Sequence, residues 1–331
     1  MPKRESLAPE PSNLYFINEK VNHKFVSSGC TKLDLDLGGG YPLGRVVNIV
    51  GDSSTAKTAL ACEAITNFLR SYPDGRAAYR DAEAAFDAEY ARSMGMPSEG
   101  VDLGDPEHPI HTVEDLYSDL DGFLDERLKS KGPGIYVIDS LDALSDAAEV
   151  DRDFDEGTYG GTKPKQISKL FRTIIAKLES SDVLFLVISQ VRDKIGVTYG
   201  KKTTRAGGRA LQFYCTQVIW LSKIKTLKRT KSGQERAVGI EVRALIEKNK
   251  VGLSLRETDF TFMYSYGVED LVTSLNWLKE AKRDAGIDSG KVHDLSYDEY
   301  AAAQGTVIPL VRQAWKEIET GFLPKRQKYG G

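Results

Sequence analysis

A run of β-branched residues that leads into a serine- and threonine-rich loop constrains the fold of this chain most. The run RVVNIV covers residues 45–50, and the loop GDSSTAKT follows at once. After the loop, apolar residues recur up to Leu69 at the spacing of one helical stripe. A strand, such a loop and a helix form a phosphate-binding loop, where backbone N–H groups and the helix N-terminus attract phosphate. We predict a nucleotide site at Gly51, Asp52, Ser53, Ser54, Thr55, Ala56, Lys57 and Thr58.

Two side chains of this loop carry specific chemistry. Lys57 supplies a cation for the β- and γ-phosphates, and Thr58 offers its hydroxyl to Mg²⁺. Ala56 stands where the usual pattern has glycine, and its Cβ costs on the order of 1 kcal/mol if the position needs a positive φ. The alternative interpretation is a polar turn before an unrelated helix. The order of strand, loop and helix favours the nucleotide site.

Carboxylates at the ends of two further strand patterns are candidates for metal binding and catalysis. Asp139 ends the apolar run IYVID, where a carboxylate can hold Mg²⁺ through water; the alternative is an ordinary strand-terminating aspartate. Glu83 ends the strand-like segment RAAYRDAE and is the candidate base that orients the attacking water. Chemistry alone does not separate Glu83 from its acidic neighbours Asp81, Asp87 and Glu89.

The order of strand and helix patterns predicts an α/β fold. Buried strand patterns alternate with amphipathic helices as far as VLFLVISQ, and three strand patterns then follow without long helices between them. This order predicts a parallel sheet that turns antiparallel at its C-terminal edge. We expect an N-terminal arm over residues 1–26, a core over 27–266 and a small, mainly helical domain over 267–331.

Charge and cysteine content narrow the classes of function. The formal net charge is -3, so any nucleic-acid site must be a local basic patch. Cys30, Cys62 and Cys215 are far apart and form no CxxC pair, which indicates a reducing compartment and argues against disulfides or zinc. No apolar run approaches the length of a membrane span. We therefore expect a cytoplasmic protein without a membrane partner.

Six stretches resemble, in the same order, segments of the RecA family of recombinases. They are SSGCTKLDLDLGGGYPLGRVVNIVG, DAEAAFDAEYARSMGM, IYVIDSLDAL, ISQVRDKIGVTYG, GGRALQFY and EKNKVG, and the resemblance covers about residues 27–268. It implies a RecA-like P-loop ATPase core, with a mixed, mostly parallel twisted sheet flanked by helices, and a small C-terminal domain. It also implies ATP and Mg²⁺ as cofactors.

The resemblance gives further residues a role. Glu83 matches the base that activates water, and Ser140 follows the Walker B acid Asp139 as in the family. Gln190 matches the glutamine that senses the γ-phosphate. Asp87 and Tyr90 match positions near the adenine. Lys248 and Lys250 match lysines that reach the neighbouring subunit's ATP.

Two basic segments match the DNA-binding loops of the family. The second loop, predicted over residues 191–207 with its exit, is basic and rich in glycine, which suits a single strand. Its candidates are Arg192, Lys194, Lys201, Lys202, Arg205, Gly207, Gly208 and Arg209. The first loop falls within residues 151–166, with Lys163 and Lys165 as candidates. A basic hairpin over residues 223–236, with its turn at Ser232 and Gly233, is either a contact for duplex DNA or a solvated hairpin.

The function that the resemblance implies is an ATP-dependent homologous recombinase. It would form a helical filament on single-stranded DNA and exchange strands with homologous double-stranded DNA, with loading or single-strand binding proteins as further partners. Ala56, the short arm and a tail without an acidic run point to a phage version, which would work in the host cytoplasm. The alternatives are a DNA-binding scaffold with weak or no hydrolysis, and a helicase motor with the same core.

Overall fold

A mixed β-sheet organises the molecule. The computed structural model describes residues 24–147, 162–193, 203–205, 208–324 and 326. Within them the strands are β1 Phe25–Val26, β2 Tyr41–Pro42, β3 Val46–Gly51, β4 Arg76–Asp81, β5 Val101–Asp102, β6 Gly134–Asp139, β7 Val183–Asp193, β8 Thr203–Arg205, β9 Gln217–Lys231, β10 Gln234–Asn249, β11 Arg256–Met263 and β12 Gly267–Val268. The helices are α1 Thr31–Leu37, α2 Lys57–Ser71, α3 Ala88–Ser93, α4 Val113–Ser130, α5 Thr162–Ser181, α6 Gly208–Tyr214, α7 Asp270–Glu280 and α8 Tyr297–Gly321.

The sheet is parallel at its centre and antiparallel towards one edge, as predicted. The strand order is β12-β11-β10-β9-β3-β7-β6-β4-β5, and β8 pairs with β7 outside this path. All pairs from β9 to β5 are parallel, and the pairs β9–β10, β10–β11 and β11–β12 are antiparallel. The carboxyl ends of β3, β4, β6 and β7 therefore meet at one edge, where ligands bind in α/β sheets.

Helices cover both faces of the sheet. One apolar cluster joins α1 and α2 to one face, and a second joins α4 and α5 to the other. The helix α4 begins at a capping box: Thr112 accepts a hydrogen bond from the Asp115 N–H at 3.0 Å, and the Asp115 carboxylate accepts the Thr112 N–H at 2.9 Å. The helical stripes seen in the sequence thus face the sheet.

The C-terminal helices form a third apolar cluster of their own, built mainly from α7 and α8. The sequence segment IPLVRQAWKEIETGF predicts a helix over residues 308–322, but α8 starts earlier, at Tyr297, because Ser296 forms a capping box with Glu299. Trp315 of α8 is buried, and its indole N–H binds Asp36 of α1 at 2.8 Å. The sheet extends to Val268, two residues past the domain boundary predicted at 266, since β12 pairs with β11.

The predicted basic hairpin is present as the outer part of β9 and β10. Ser232 and Gly233 form its turn with φ values of 52° and 75°, which suits a tight hairpin turn. Residues 222–226 and 228–237 are exposed, so this ribbon projects beyond the packed part of the sheet. In the part of the chain that the structure covers, no helix combines the length and apolarity that a membrane span requires.

Candidate nucleotide site and DNA-facing segments

The predicted phosphate loop joins the end of β3 to the start of α2. Lys57 is the first residue of α2, and Ala56 before it has φ 66° and ψ 24°, in the left-handed region. The loop is closed by its own contacts, since Thr55 Oγ1 and Lys57 Nζ donate to the Asp52 carbonyl at 2.8 and 2.7 Å. Burial lowers the pKa of Lys57, while the nearest carboxylate, that of Asp139, acts in the opposite direction. The helix N-terminus and the lysine thus face one concave loop that suits phosphate.

A hydroxyl and a carboxylate meet beside this loop. Thr58 Oγ1 donates to Asp139 Oδ2 at 2.6 Å, and the Tyr79 hydroxyl donates to the same oxygen at 2.8 Å. Burial raises the pKa of Asp139, which the hydrogen bonds from Thr58 and Tyr79 oppose. A hydroxyl and a carboxylate oxygen are a donor set that fits Mg²⁺, and their separation allows a shared ion or its bound water. Thr58 and Asp139 are therefore the residues that would hold the metal.

Glu83 lies at the same edge of the sheet, held by two donors. Ser140 Oγ donates to Glu83 Oε1 at 2.5 Å, and Gln190 Nε2 donates to the same atom at 2.7 Å. Glu83 and Ser140 follow β4 and β6, and Gln190 is the last residue of β7 that pairs with β3, so three strands converge here. Within the described chain both side-chain contacts fall on Oε1, and Oε2 is the oxygen left to accept a proton.

Asp81 and Asp87, two of the acids near Glu83, have structural partners that distinguish them from Glu83. Asp81 accepts the backbone N–H groups of Glu83 and Phe86 at 3.0 and 2.7 Å, which ends β4 at this aspartate, two residues before the predicted end. Asp87 caps α3 by accepting the N–H groups of Glu89 and Tyr90, both at 2.9 Å. Asp87 and Tyr90 therefore lie in the first turn of α3, and Tyr90 packs partly against the apolar core.

Lys248 and Lys250 lie at the opposite edge of the sheet from the phosphate loop of their own chain. Lys248 pairs with Val218 of β9, and the Lys250 N–H binds the Thr216 carbonyl at 3.0 Å, next to the start of β3. The loop begins at the other end of β3. At ~3.3 Å per residue, Lys250, level with Val46, is about 16 Å from it, and Lys248, level with Asn48, is about 10 Å from it. Their Nζ atoms donate to the Phe213 carbonyl at the end of α6, at 3.0 and 3.4 Å.

The structure describes the residues that flank the two predicted DNA loops. Lys163 and Lys165 lie in the first turn of α5, not in a loop as predicted, because Pro164 suits a first helical turn. Arg192 and Arg205 lie on β7 and β8, which pair antiparallel, so the base of the second loop is a two-stranded ladder. The helix α6 begins at Gly208, and Arg209 follows it. Residues 1–23, most of the first loop, Lys194, Lys201, Lys202 and Gly207 lie outside the described residues.

Sequence reasoning missed two residues that shape the site. Tyr79 precedes the end of β4 by two positions, and its hydroxyl shares the carboxylate oxygen of Asp139 with Thr58. Asp142 follows β6 by three positions, and its Oδ2 accepts the Gln190 N–H at 2.8 Å. For Tyr79, the only sequence signal was a tyrosine near the carboxyl end of a predicted parallel strand. The contact of Asp142 depends on how the chain turns after β6.

Comparison with known proteins agrees with this geometry. The family model described as the RecA N-terminal domain matches residues 14–269. Protein RecA of Crocosphaera subtropica is 30% identical over 92% of this chain and 82% of its own length. Protein RecA of a Synechococcus species is 34% identical over 85% of this chain and 68% of its own length, and that of Prochlorococcus marinus is 31% identical over 90% and 78%. Because the match to the family model covers most of the chain, the chain belongs to the RecA family of recombinases.

Proposed function

We propose that this RecA-type recombinase binds and hydrolyses ATP with Mg²⁺ and forms a helical filament on single-stranded DNA. In this proposal the filament pairs its strand with homologous double-stranded DNA and exchanges the two. The observation that carries the proposal is the convergence of Lys57, Thr58, Asp139, Glu83 and Gln190 at one edge of the sheet. A cation, an oxygen donor pair, a base and an amide are the groups that phosphoryl transfer from ATP requires.

The proposed chemistry is an in-line attack of water on the γ-phosphate. Glu83 accepts the proton of the attacking water as the new O–P bond forms, and the bond to the leaving ADP oxygen breaks. Lys57 and the N–H groups at the start of α2 stabilise the charge on the phosphates. Mg²⁺, held by Thr58 and Asp139, supplies charge neutralisation when it is bound. Gln190 contacts Glu83 at 2.7 Å, and its proposed role is to sense the γ-phosphate.

The proposed site is shared between two copies of the chain. Along β3, Lys250 lies about 16 Å and Lys248 about 10 Å from their own phosphate loop, so their proposed role is on the ATP of a neighbouring protomer. Such a head-to-tail contact that does not close on itself generates a helical filament. ATP bound between protomers would then tighten the assembly, and hydrolysis would loosen it.

The proposed DNA contacts follow the ends of the two predicted loops. Lys163 and Lys165 at the start of α5, and Arg192 and Arg205 at the base of the second loop, are the described members of this set. Positive charge next to glycine-containing sequence suits phosphate contacts that do not depend on base sequence. The proposed compartment is the cytoplasm, supported by three buried free cysteines. Phage origin and loading partners stay predictions.

The direct test is Lys57→Ala, measured by ATP-dependent DNA binding and strand exchange. Loss of the loop cation is expected to lower the hydrolysis rate on the order of 100-fold and to abolish exchange. The matched control is Lys131→Ala, which removes an exposed lysine after α4, remote from the loop, and is expected to leave both activities intact. Unchanged strand exchange in Lys57→Ala would refute the site.

A second measurement separates a recombinase from a DNA-binding scaffold. The ATPase rate is measured with and without single-stranded DNA: DNA is expected to stimulate the rate of a recombinase and not that of a scaffold.

A further inference from the structure

Asp142 connects Gln190 to the turn that follows β6. Its side chain is buried, with 8% of the residue exposed, and its Oδ2 accepts the backbone N–H of Gln190 at 2.8 Å. The ladder between β6 and β7 ends with the pair Ile138 and Val187, so Gln190 lies beyond it. Gln190 still pairs with Gly51 of β3 on its other side, and on the side where the β6 ladder has ended the carboxylate of Asp142 accepts its N–H.

The same residue contacts the start of α5. The carbonyl oxygen of Asp142 accepts a hydrogen bond from Lys163 Nζ at 3.0 Å. Lys163 is the second residue of α5 and follows the segment where the first DNA loop is predicted. One residue therefore binds a group next to the nucleotide with its side chain, and a proposed DNA-contacting lysine with its backbone.

The turn from Ser140 to Asp142 is short and bonded at both ends. The Leu141 N–H binds the Ile188 carbonyl at 3.1 Å, and the Ala143 N–H binds the Ser140 carbonyl at 3.1 Å. Ser140 and Gln190 are also the two donors on Glu83 Oε1. Asp142 is therefore linked to both groups that hold Glu83, to Gln190 by its side chain and to Ser140 through the turn.

We propose that Asp142 is a positioning residue that couples DNA contact at Lys163 to the arrangement of Gln190 and Glu83. Without DNA, Lys163 binds Asp142 and the turn holds Gln190 on Glu83. A DNA phosphate attracts Lys163 away from the Asp142 carbonyl, the turn relaxes, and the Gln190 amide can leave Glu83 for the γ-phosphate. This coupling rests on the proposed function, because it takes Glu83 as the base for ATP hydrolysis.

The test compares two pairs of variants by one readout, the ratio of the ATP hydrolysis rate at saturating single-stranded DNA to the rate without DNA. Asp142→Ala removes the acceptor for the Gln190 N–H, whereas Asp142→Asn keeps an acceptor oxygen. Lys163→Ala removes the lysine that contacts Asp142, whereas Lys169→Ala removes an exposed lysine further along the same helix that belongs to neither proposed site. Asp142→Ala and Lys163→Ala are each expected to lower the ratio about tenfold, as for loss of one hydrogen bond at the site.

The two control variants, Asp142→Asn and Lys169→Ala, are expected to keep the ratio within about twofold of wild type. The KM for ATP and the thermal midpoint are measured alongside, because a merely structural role would change them first. If Asp142→Ala does not fold, Lys163→Ala against Lys169→Ala decides the question. Equal ratios for that pair, or a wild-type ratio for Asp142→Ala, would overturn the coupling. A wild-type protein without DNA stimulation would instead refute the proposed function.

Discussion

Thr58 Oγ1 donates a hydrogen bond to Asp139 Oδ2 at 2.6 Å, and this contact joins the phosphate loop to the end of β6. The two residues are 81 positions apart in the chain, and each was predicted separately as a ligand of Mg²⁺. This contact brings the phosphate loop and the strand-end aspartate, two separate sequence motifs, into one site. Glu83, held by Ser140 and Gln190, completes the same edge of the sheet.

Ala56→Gly is expected to stabilise the protein. Ala56 has φ 66°, where a Cβ is strained, so glycine should raise the free energy of unfolding by about 0.5–1 kcal/mol. The added room for phosphate should also lower the KM for ATP. Urea unfolding and steady-state kinetics measure the two effects.

Lys131→Gly is the matched control for this substitution. Lys131 has φ 56° at the end of α4, remote from the phosphate loop, so the same gain in stability is expected without a change in KM. A lower unfolding free energy for Ala56→Gly, or the same KM change in both variants, would contradict this explanation of Ala56.

Mixing two inactive variants tests the sharing of the site between protomers. Lys57→Ala and Lys250→Ala are each expected to be inactive alone. In a random mixed filament, roughly a quarter of the head-to-tail interfaces combine an intact Lys57 with the neighbour's intact Lys250. DNA-stimulated ATPase should therefore reappear at about that fraction of the wild-type rate. If both lysines acted within one chain, the mixture would be as inactive as its components.

The buried carboxyl of Glu63 should make stability depend on pH. Burial raises the pKa of Glu63 to about 7 from 4.5, although its Oε1 accepts the Val268 N–H at 3.0 Å. The folded state therefore binds this proton more tightly than the unfolded state. The favourable contribution is complete below about pH 4.5 and is lost as the pH rises through about 7.

Glu63→Gln isolates this contribution, because glutamine keeps an acceptor oxygen and does not titrate. Between about pH 5 and about pH 8, wild type should lose on the order of 1–3 kcal/mol more unfolding free energy than the variant. Asp34, whose pKa burial also raises to about 7, should leave a slope in both proteins. Glu107→Gln, at an exposed position, is the control. Parallel curves for wild type and Glu63→Gln would show that this carboxyl is not responsible.

The projecting hairpin is expected to contact duplex DNA. Arg229 and Lys231 are exposed near its tip, and alanine at both should reduce the salt dependence of duplex binding by roughly 0.9 in log–log slope per lost phosphate contact. Alanine at Lys129 and Lys131, two exposed lysines at the end of α4, serves as the control. Unchanged slopes in the hairpin variant would leave it as a solvated hairpin.

The parts of the site that lie within continuous motifs were predictable from sequence. The phosphate loop, Asp139 at the end of a strand and the turn at Ser232 and Gly233 each depend on neighbouring residues, and the structure has them where they were predicted. Glu83 could be preferred to its acidic neighbours only through the family resemblance. In the structure its position follows from Asp81, which turns the chain after β4.

Contacts made between distant segments were not predictable. Lys163 was assigned to a loop, because glycines nearby hid the start of α5, and its contact with Asp142 arises only once the fold brings the start of α5 to the turn after β6. The early start of α8 depends on a capping box in a segment without an apolar stripe. In both cases hydrogen bonds of the folded chain, not residue periodicity, determine the boundary.

Electron microscopy of the protein with single-stranded DNA and a slowly hydrolysed ATP analogue tests the central claim most directly, namely that ATP between protomers holds a filament on DNA. We predict regular helical filaments that form only when both the analogue and DNA are present. The variant Lys57→Ala is expected to form no such filaments. Closed rings, or particles that stay monomeric with both ligands present, would contradict it.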